Sequence, residues 1–209
     1  MTISKRKERQ KEELKGKILQ AARELFMQKG FGEVSIRNIA EKIEYSPTTI
    51  YLHFKDKDEI FLELHREGFA LLNQYFRPLI HVADPYERLK AMNRVYIDFA
   101  LENGEFYDLM FIINAPMESI KKKESDWEEG DRAFAFLSNT VQECIDKSYF
   151  PGMEAKIVAF TFWSMVHGIA SLEIRNRCPV VDGLNETDLA HKSSALINEI
   201  LDRMHKAKI

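Results

Sequence analysis

Apolar residues recur every three or four positions in stretch after stretch of this sequence, and no segment alternates in the manner of a strand. That period keeps one face of an α-helix turned inward. Only 9 Gly and 6 Pro interrupt the 209 residues, roughly 7% against about 12% in average usage, so long helices with few turns are expected. With 45% hydrophobic and 30% charged residues the composition is globular, not disordered or fibrous. The expected fold class is all-α.

The first stripe is Leu14, Ile18, Ala21, Ala22, Leu25 and Phe26, and Lys29-Gly30 stops it with a glycine C-cap. Ser35 then caps a short second helix that buries Ile36, Ile39, Ala40 and Ile43. Ser46-Pro47 opens a third, since proline at the first helical position lacks only an N–H that has no partner there. Glu44 to Ser46 alone separate the two, which is the spacing of a helix-turn-helix, with Ile50 and Phe54 as the third helix's anchors. Asp56 and Asp58 favour a helix start, so a long fourth helix should run from about Lys57 to Tyr75-Phe76, before Pro78. Breaks at Pro85, Pro116, Pro151-Gly152 and Pro179 to Gly183 leave helices at roughly 86–102, 105–114, 126–148, 153–176 and 186–206. Before about Lys11 the charged arm has no stripe and is expected to lack structure.

Charge divides the chain as the stripes do. Residues 1–55 hold 12 Lys+Arg against 7 Asp+Glu, and residues 56–209 hold 18 against 26. A basic N-terminal unit on an acidic body suits a polyanionic partner for the first alone. Cys144 and Cys178 have no ligand spacing and are too few for a disulfide framework, and the start SKRKERQKEE is no secretory signal, so a cytoplasmic setting is expected. The charge-free run Ile157 to Leu172 is 16 residues, shorter than the roughly 20 of a membrane span, and reads as a buried helix. No Gly-rich phosphate loop, HExxH, GxSxG or Cys/His metal pair occurs, so neither an enzyme nor a cofactor is expected.

The run VSIRNIAEKIEYSPTTIYLHFKDKDEIF resembles the DNA-binding signature of the tetracycline-repressor (TetR) family, carried here by Ile39-Ala40, Ser46, Ile50-Tyr51, His53-Phe54 and Lys57-Asp58. Many members place Gly-Val before that Ser, where this chain has Glu44-Tyr45, so Glu44 must tolerate a turn that glycine adopts freely, or the turn differs. The resemblance implies an N-terminal helix-turn-helix DNA-binding domain, residues 1–56, joined by a long helix to a helical ligand-binding and dimerisation domain, residues 57–209. Pro47, Thr48 and Thr49 at the start of the recognition helix are expected to face base edges, with Ser46 capping them. Tyr51 and His53 are placed for phosphates, Lys57 with the fourth helix's N–H groups for an anion, and Ser35 and Arg37 for one phosphate each. Tyr45 either reaches a base or sugar edge or packs on the helix below. The arm with Lys5, Arg6, Lys7, Arg9 and Lys11 either tracks the minor groove or adds long-range attraction.

In the body, Met92, Tyr96, Phe99, Met110, Phe111, Asn114, Phe134, Trp163 and His167 are the candidates for an effector cavity, although most residues of such stripes are core. The stretch FTFWSMVHGIASL resembles a late helix of a TetR subgroup's regulatory domain. His167 either finds a partner in the protein or meets a polar group of a ligand. The last two helices are expected to pair with those of a second copy, and the dimer to read a palindromic double-stranded operator. The function expected is a dimeric, sequence-specific repressor released by a small apolar or amphipathic effector, with no membrane partner. The alternative is a helical protein–protein adaptor of the same fold that no longer binds DNA.

Overall fold

The computed structural model describes residues 3–115, 128–177 and 189–206. Cys178, the breaks at Pro116 and Pro179 to Gly183, and the expected helix starts at 126 and 186 lie outside them. Among the described residues the secondary structure is helical: α1 Ile3–Glu33, α2 Ile36–Lys42, α3 Pro47–Tyr51, α4 Lys57–Phe76, a 3-10 helix Arg77–His81, α5 Pro85–Glu102, α6 Gly104–Phe111, α7 Glu128–Asp146, α8 Ala155–Ile174 and α9 Leu189–Lys206.

Local chemistry accounts for most boundaries. Gly30 breaks α1 with φ 78 and ψ 161, a conformation only glycine adopts without strain. Pro78 cannot continue α4, and the chain tightens there into the 3-10 turn. Asp84 caps α5, its Oδ1 accepting from the Tyr86 N–H at 3.3 Å, with Pro85 at the first position. The arm departs from expectation: α1 is helical from Ile3, so the basic segment continues the first helix.

The chain forms two compact units, Met1–Phe69 with Glu105–Trp127, and Ala70–Gly104 with Glu128–Ile209. In the first, Ile18, Ala22 and Phe26 of α1 meet Ile39 of α2, Ile50 of α3, Ile60 and Phe61 of α4 and Leu109 of α6. The Phe26, Phe31 and Phe61 rings stand 5.0–5.7 Å apart at its centre. Gly68 lets α6 lie close on α4, for a Cβ there would meet Met110 Sδ at 2.6 Å. His65, 1% exposed, donates from Nε2 to the Met110 carbonyl at 3.2 Å. In the second unit α5 is central and touches α7, α8 and α9. Arg88 is buried against α7, bonded to Thr140 at 3.1 Å and paired with Glu143 at 2.6 Å. Burial pushes the Cys144 thiol up to about 12, so it stays protonated.

Between α5 and α9 runs a seam of directional bonds. His191 meets Asp98 at 2.6 Å, Asn93 donates to Asn198 at 3.0 Å, Asn198 donates to the Lys90 carbonyl at 3.3 Å, and Lys90 meets Asp202 at 3.1 Å.

Burial holds the His65 imidazole down at about 4, against an ordinary 6.5. The unfolded chain takes that proton below about pH 6.5 and the folded chain refuses it until about pH 4, so the stability is full above 6.5 and is lost as pH falls. Urea titrations should show a loss of about 3 kcal/mol between pH 7 and pH 4 from this group. His65→Gln, which keeps a donor for Met110, should remove that share; an unaltered pH profile would refute the assignment.

Candidate nucleic-acid interface

The helix-turn-helix is built by caps and two anchors. Ser35 Oγ accepts from the Asn38 N–H at 3.2 Å while Asn38 Oδ1 accepts from the Ser35 N–H at 2.9 Å, a reciprocal capping box at the start of α2. α2 ends in a Schellman turn: the Glu44 N–H bonds the Glu41 carbonyl and the Tyr45 N–H the Ala40 carbonyl. The residue between takes a left-handed conformation, and Glu44 has φ 61. The turn is therefore the one glycine would give, held here by a residue that pays about 1 kcal/mol for it. Ser148 and Asn176 hold the same position after α7 and α8, with φ 64 and 50.

Ser46 caps α3, its Oγ accepting from the Thr49 N–H at 3.2 Å, and Pro47 follows as the first helical residue. Ile50 and Phe54 are buried at 0% and 3%. The opposite face is left to solvent: Pro47 and Thr48 are exposed, Tyr51 is 56% exposed and Tyr45 43%. Leu52, 74% exposed one turn after Thr48, shares that face and was missed in the sequence, where its i+4 spacing from Thr48 was the available signal.

Other expected residues sit differently. Thr49 is half-buried and its hydroxyl meets Ser46 Oγ at 3.0 Å, so it completes the cap and does not stand beside Thr48 on the outward face. Ser35 is exposed with its hydroxyl committed to Asn38 at 2.7 Å, and Arg37 is exposed and paired with Glu41 at 3.1 Å. His53 is half-buried, and burial, then Lys11, holds its imidazole below the ordinary value.

The anion site expected at the start of α4 is filled by the protein's own groups. Lys57 Nζ donates to the carbonyls of Phe31 at 2.7 Å and Val34 at 2.8 Å, and lies 4.4 Å from the Phe31 ring centroid. Asp56 Oδ1 accepts from the Glu59 N–H at 2.9 Å, and Glu59 accepts from the Lys55 N–H. The lysine closes the end of α1 because the turn after Gly30 leaves those carbonyls without helical partners. Sequence spacing could not reveal this, since the partners lie 23 and 26 positions away.

The effector candidates divide between the two units. Trp163 Nε1 donates to Tyr96 Oη at 3.2 Å, and Tyr96 Oη lies 3.0 Å from His167 Nδ1. Burial, then Arg175, keeps His167 below its ordinary pKa, in accord with a neutral ring. The Phe134 ring stands 6.5 Å from Trp163. Met92 and Phe99 are buried in the same unit, Phe99 against Tyr75 at 5.6 Å. Met110 and Phe111 belong to the first unit, Phe111 against Phe69 at 5.6 Å, and Asn114 there is exposed. A groove of about 390 Å³ in the second unit is lined by Asn73, Gln74, Phe76, Arg77, Arg132 and Phe136 among others, and by none of the nine candidates.

α8 corrects a further expectation. It is long and apolar enough to cross a membrane by length and composition, with a mean hydropathy of 1.5, yet only 22% of it is buried. Ile157, Phe160, Met165 and Leu172 are 42–61% exposed, and Leu196 and Ile200 of α9 are 55% and 47% exposed. The helix is apolar all round, and its core side alone is covered.

Comparison with known proteins completes the picture. The family pattern of bacterial regulatory proteins, tetR family, matches residues 18–64, and that of the tetracyclin repressor-like C-terminal domain matches residues 89–204, more than half of the chain. The HTH-type transcriptional activator FasR of Mycolicibacterium smegmatis is 29% identical over 102 residues, 48% of this chain and 47% of that protein. The HTH-type transcriptional regulator QacR of Staphylococcus aureus is 30% identical over 121 residues, 54% of this chain and 64% of that protein. The matched stretch thus spans 47% and 64% of these relatives' own length. Among solved structures, the fatty acid degradation regulator FadR from Bacillus halodurans superposes with a TM-score of 0.70 at 16% identity, over 90% of this chain and 93% of that one. The TetR family transcriptional regulator PfmR from Thermus thermophilus superposes at 0.63 and 20% identity, over 89% and 97%. These two likenesses are of fold.

Lys57→Met should lower unfolding stability by about 1.5–3 kcal/mol, the worth of hydrogen bonds from a charged group. It should leave the salt slope of DNA binding unchanged; a slope lowered by about one would restore Lys57 to the phosphate contacts.

Proposed function

Because this chain belongs to the TetR family of bacterial regulatory proteins, we propose that it is a dimeric transcriptional repressor of the cytoplasm that reads a palindromic operator with α3 and leaves it when a small apolar or amphipathic effector binds. The observation that carries this reading is α3 itself, five residues capped by Ser46 and anchored by Ile50 and Phe54, with its opposite face uncovered. In this reading Thr48 and Leu52 meet base edges, where a threonine methyl and a leucine side chain suit thymine methyls. Tyr51 and His53 take backbone phosphates, with Ser35 and Arg37 adding contacts from the start of α2, and Tyr45 reaches sugar or base from the turn. Pro47, Ser46, Thr49 and Lys57 hold the helix in place. In this reading residues 1–56 read the DNA and residues 57–209 regulate them, with 57–69 and 105–115 packed in the DNA-reading unit.

The dimer is proposed on the exposed apolar face of α8 and α9. Phe160, Met165 and Leu196 lie in the open there, and a second copy presenting the same face would cover them about a two-fold axis. Two recognition helices about 34–36 Å apart then fit successive turns of a duplex. The effector is assigned to the cluster of Tyr96, Trp163 and His167, with Phe134 and Met92 beside it, because a half-buried polar relay among aromatic rings can bind a ligand with one polar end. Binding must favour the state in which the two α3 helices are wrongly spaced, with α4, which contributes to both units, as the lever.

Selection of bound sequences from random DNA by the purified protein tests the core of this reading, which fails if nothing is enriched. With the selected duplex, Thr48→Val should change the preferred bases more than the mean affinity. Tyr51→Phe should weaken all sequences alike by about 1.5 kcal/mol. Phe160→Glu should give a monomer by sedimentation that no longer holds the palindrome, and a variant still dimeric would move the interface elsewhere. Quenching of Trp163 fluorescence by a binding compound, with loss of DNA binding, is the expected sign of the effector. A reporter whose expression falls when the protein is deleted would make the chain an activator, as FasR is named.

A further inference from the structure

The first turns of α1 carry Lys5, Arg6, Lys7, Arg9 and Lys11 against a lone Glu8, and all six are exposed. This order opposes the helix's own electrostatics. A helix N-terminus bears partial positive charge and favours carboxylates in its first turn. α1 has no acidic residue there, and Glu12 and Glu13 come after the cations. Each cation so placed disfavours the helix, so the pattern serves something other than helix formation. A polyanion beside these turns would reverse the sign of the effect.

Helical phase decides which cations would meet it. Lys7, Lys11, Leu14, Ile18, Ala21 and Leu25 follow one another at spacings of four and three, and so share a face. From Ile18 onward that face is buried in the first unit's core, with Leu14 packed at its rim. The face then runs on past the core's edge, and its next two positions are lysines. Lys15 marks the edge: its Nζ is 5.9 Å from the Phe54 ring centroid, at the end of the recognition segment, and it pairs with Glu63. One turn earlier, the Lys11 charge is felt at His53. Lys5 and Arg9 occupy the opposite face, where Arg9 is paired with Glu13 at 2.8 Å. Neither Lys7 nor Lys11 has an ion-pair partner among the described residues.

We propose that the N-terminal turns of α1 are a rigid helical arm that sets Lys7 and Lys11 against DNA backbone phosphates, next to the phosphate reached from Tyr51 and His53. This rests on the reading of α3 as the DNA-reading helix and lengthens its footprint along one strand. The two lysines stand about 6 Å apart along the helix axis, so they take separate phosphates. The contact is to the backbone, carries no base information, and adds counterion release.

The test compares two double variants of the full chain, equal in charge removed and opposite in helix face. Affinity for a duplex selected by the unaltered protein is measured against salt. Lys7→Gln with Lys11→Gln should lower the slope of log affinity against log salt by about 1.8, the release from two phosphate contacts. Lys5→Gln with Arg9→Gln should change it by less than about 0.5. Equal changes from both pairs would mean diffuse attraction without contact, and no change from either would mean no involvement; both overturn the proposal. If the unaltered protein selects no duplex at all, the DNA-reading assignment of α3 fails instead, and the two failures are thereby told apart.

Discussion

A helix of five residues has no stability of its own in water, where even good helix formers need about 12–15 residues. α3 exists because Ile50 and Phe54 are sunk into a core supplied by other helices and because Ser46 satisfies its first N–H groups. The outward direction of Thr48, Tyr51 and Leu52 is therefore a by-product of burying two neighbours. That core is in turn organised by the Phe26, Phe31 and Phe61 rings, and Lys57 fastens the turn after α1 to the start of α4 through the carbonyls of Phe31 and Val34. An exposed edge of a few residues thus depends on packing spread over four helices.

What could be read in the sequence was what depends on neighbours in the chain. Ser35, and Ser46 with Pro47, announce helix starts because a cap bonds N–H groups two or three residues on. Gly30 announces an end, and Glu44 was legible as a residue doing glycine's work. The misplacements share a different cause. Lys57 and the α4 N-terminus were expected to face an anion, and their actual partners are carbonyls more than twenty residues earlier and adjacent carboxylates. Met110 and Phe111 have the stripe of a body helix, yet pack with the N-terminal unit through Gly68 and Phe69. The arm has no apolar period, so only its continuity with α1 could show it as helix. For Lys57, Met110 and Phe111 the deciding contact is long-range, and residue spacing carries no information about it.

α8 shows the limit of hydropathy as a guide. A continuous apolar run tells that a helix avoids water and not what covers it. Here Ala159, Phe162, Val166 and Ala170 face the unit's own core, while Ile157, Phe160 and Leu172 do not. Trp163 and His167, which meet Tyr96 of α5 in a half-buried polar relay, lie on the same helix, so polar, core-facing and outward-facing residues share its turns.

The joint between α5 and α9 has a consequence for assembly. Apolar contacts are indifferent to small sliding, but His191 on Asp98, Asn198 on Asn93 and Asp202 on Lys90 work like teeth in a ratchet. A shift of α9 by a single turn would strand every one of them together, at a cost no apolar gain on the other side would easily match. The heading of Leu196 and Ile200 is therefore keyed into the chain itself, and any molecule docking there would meet that alignment ready-made.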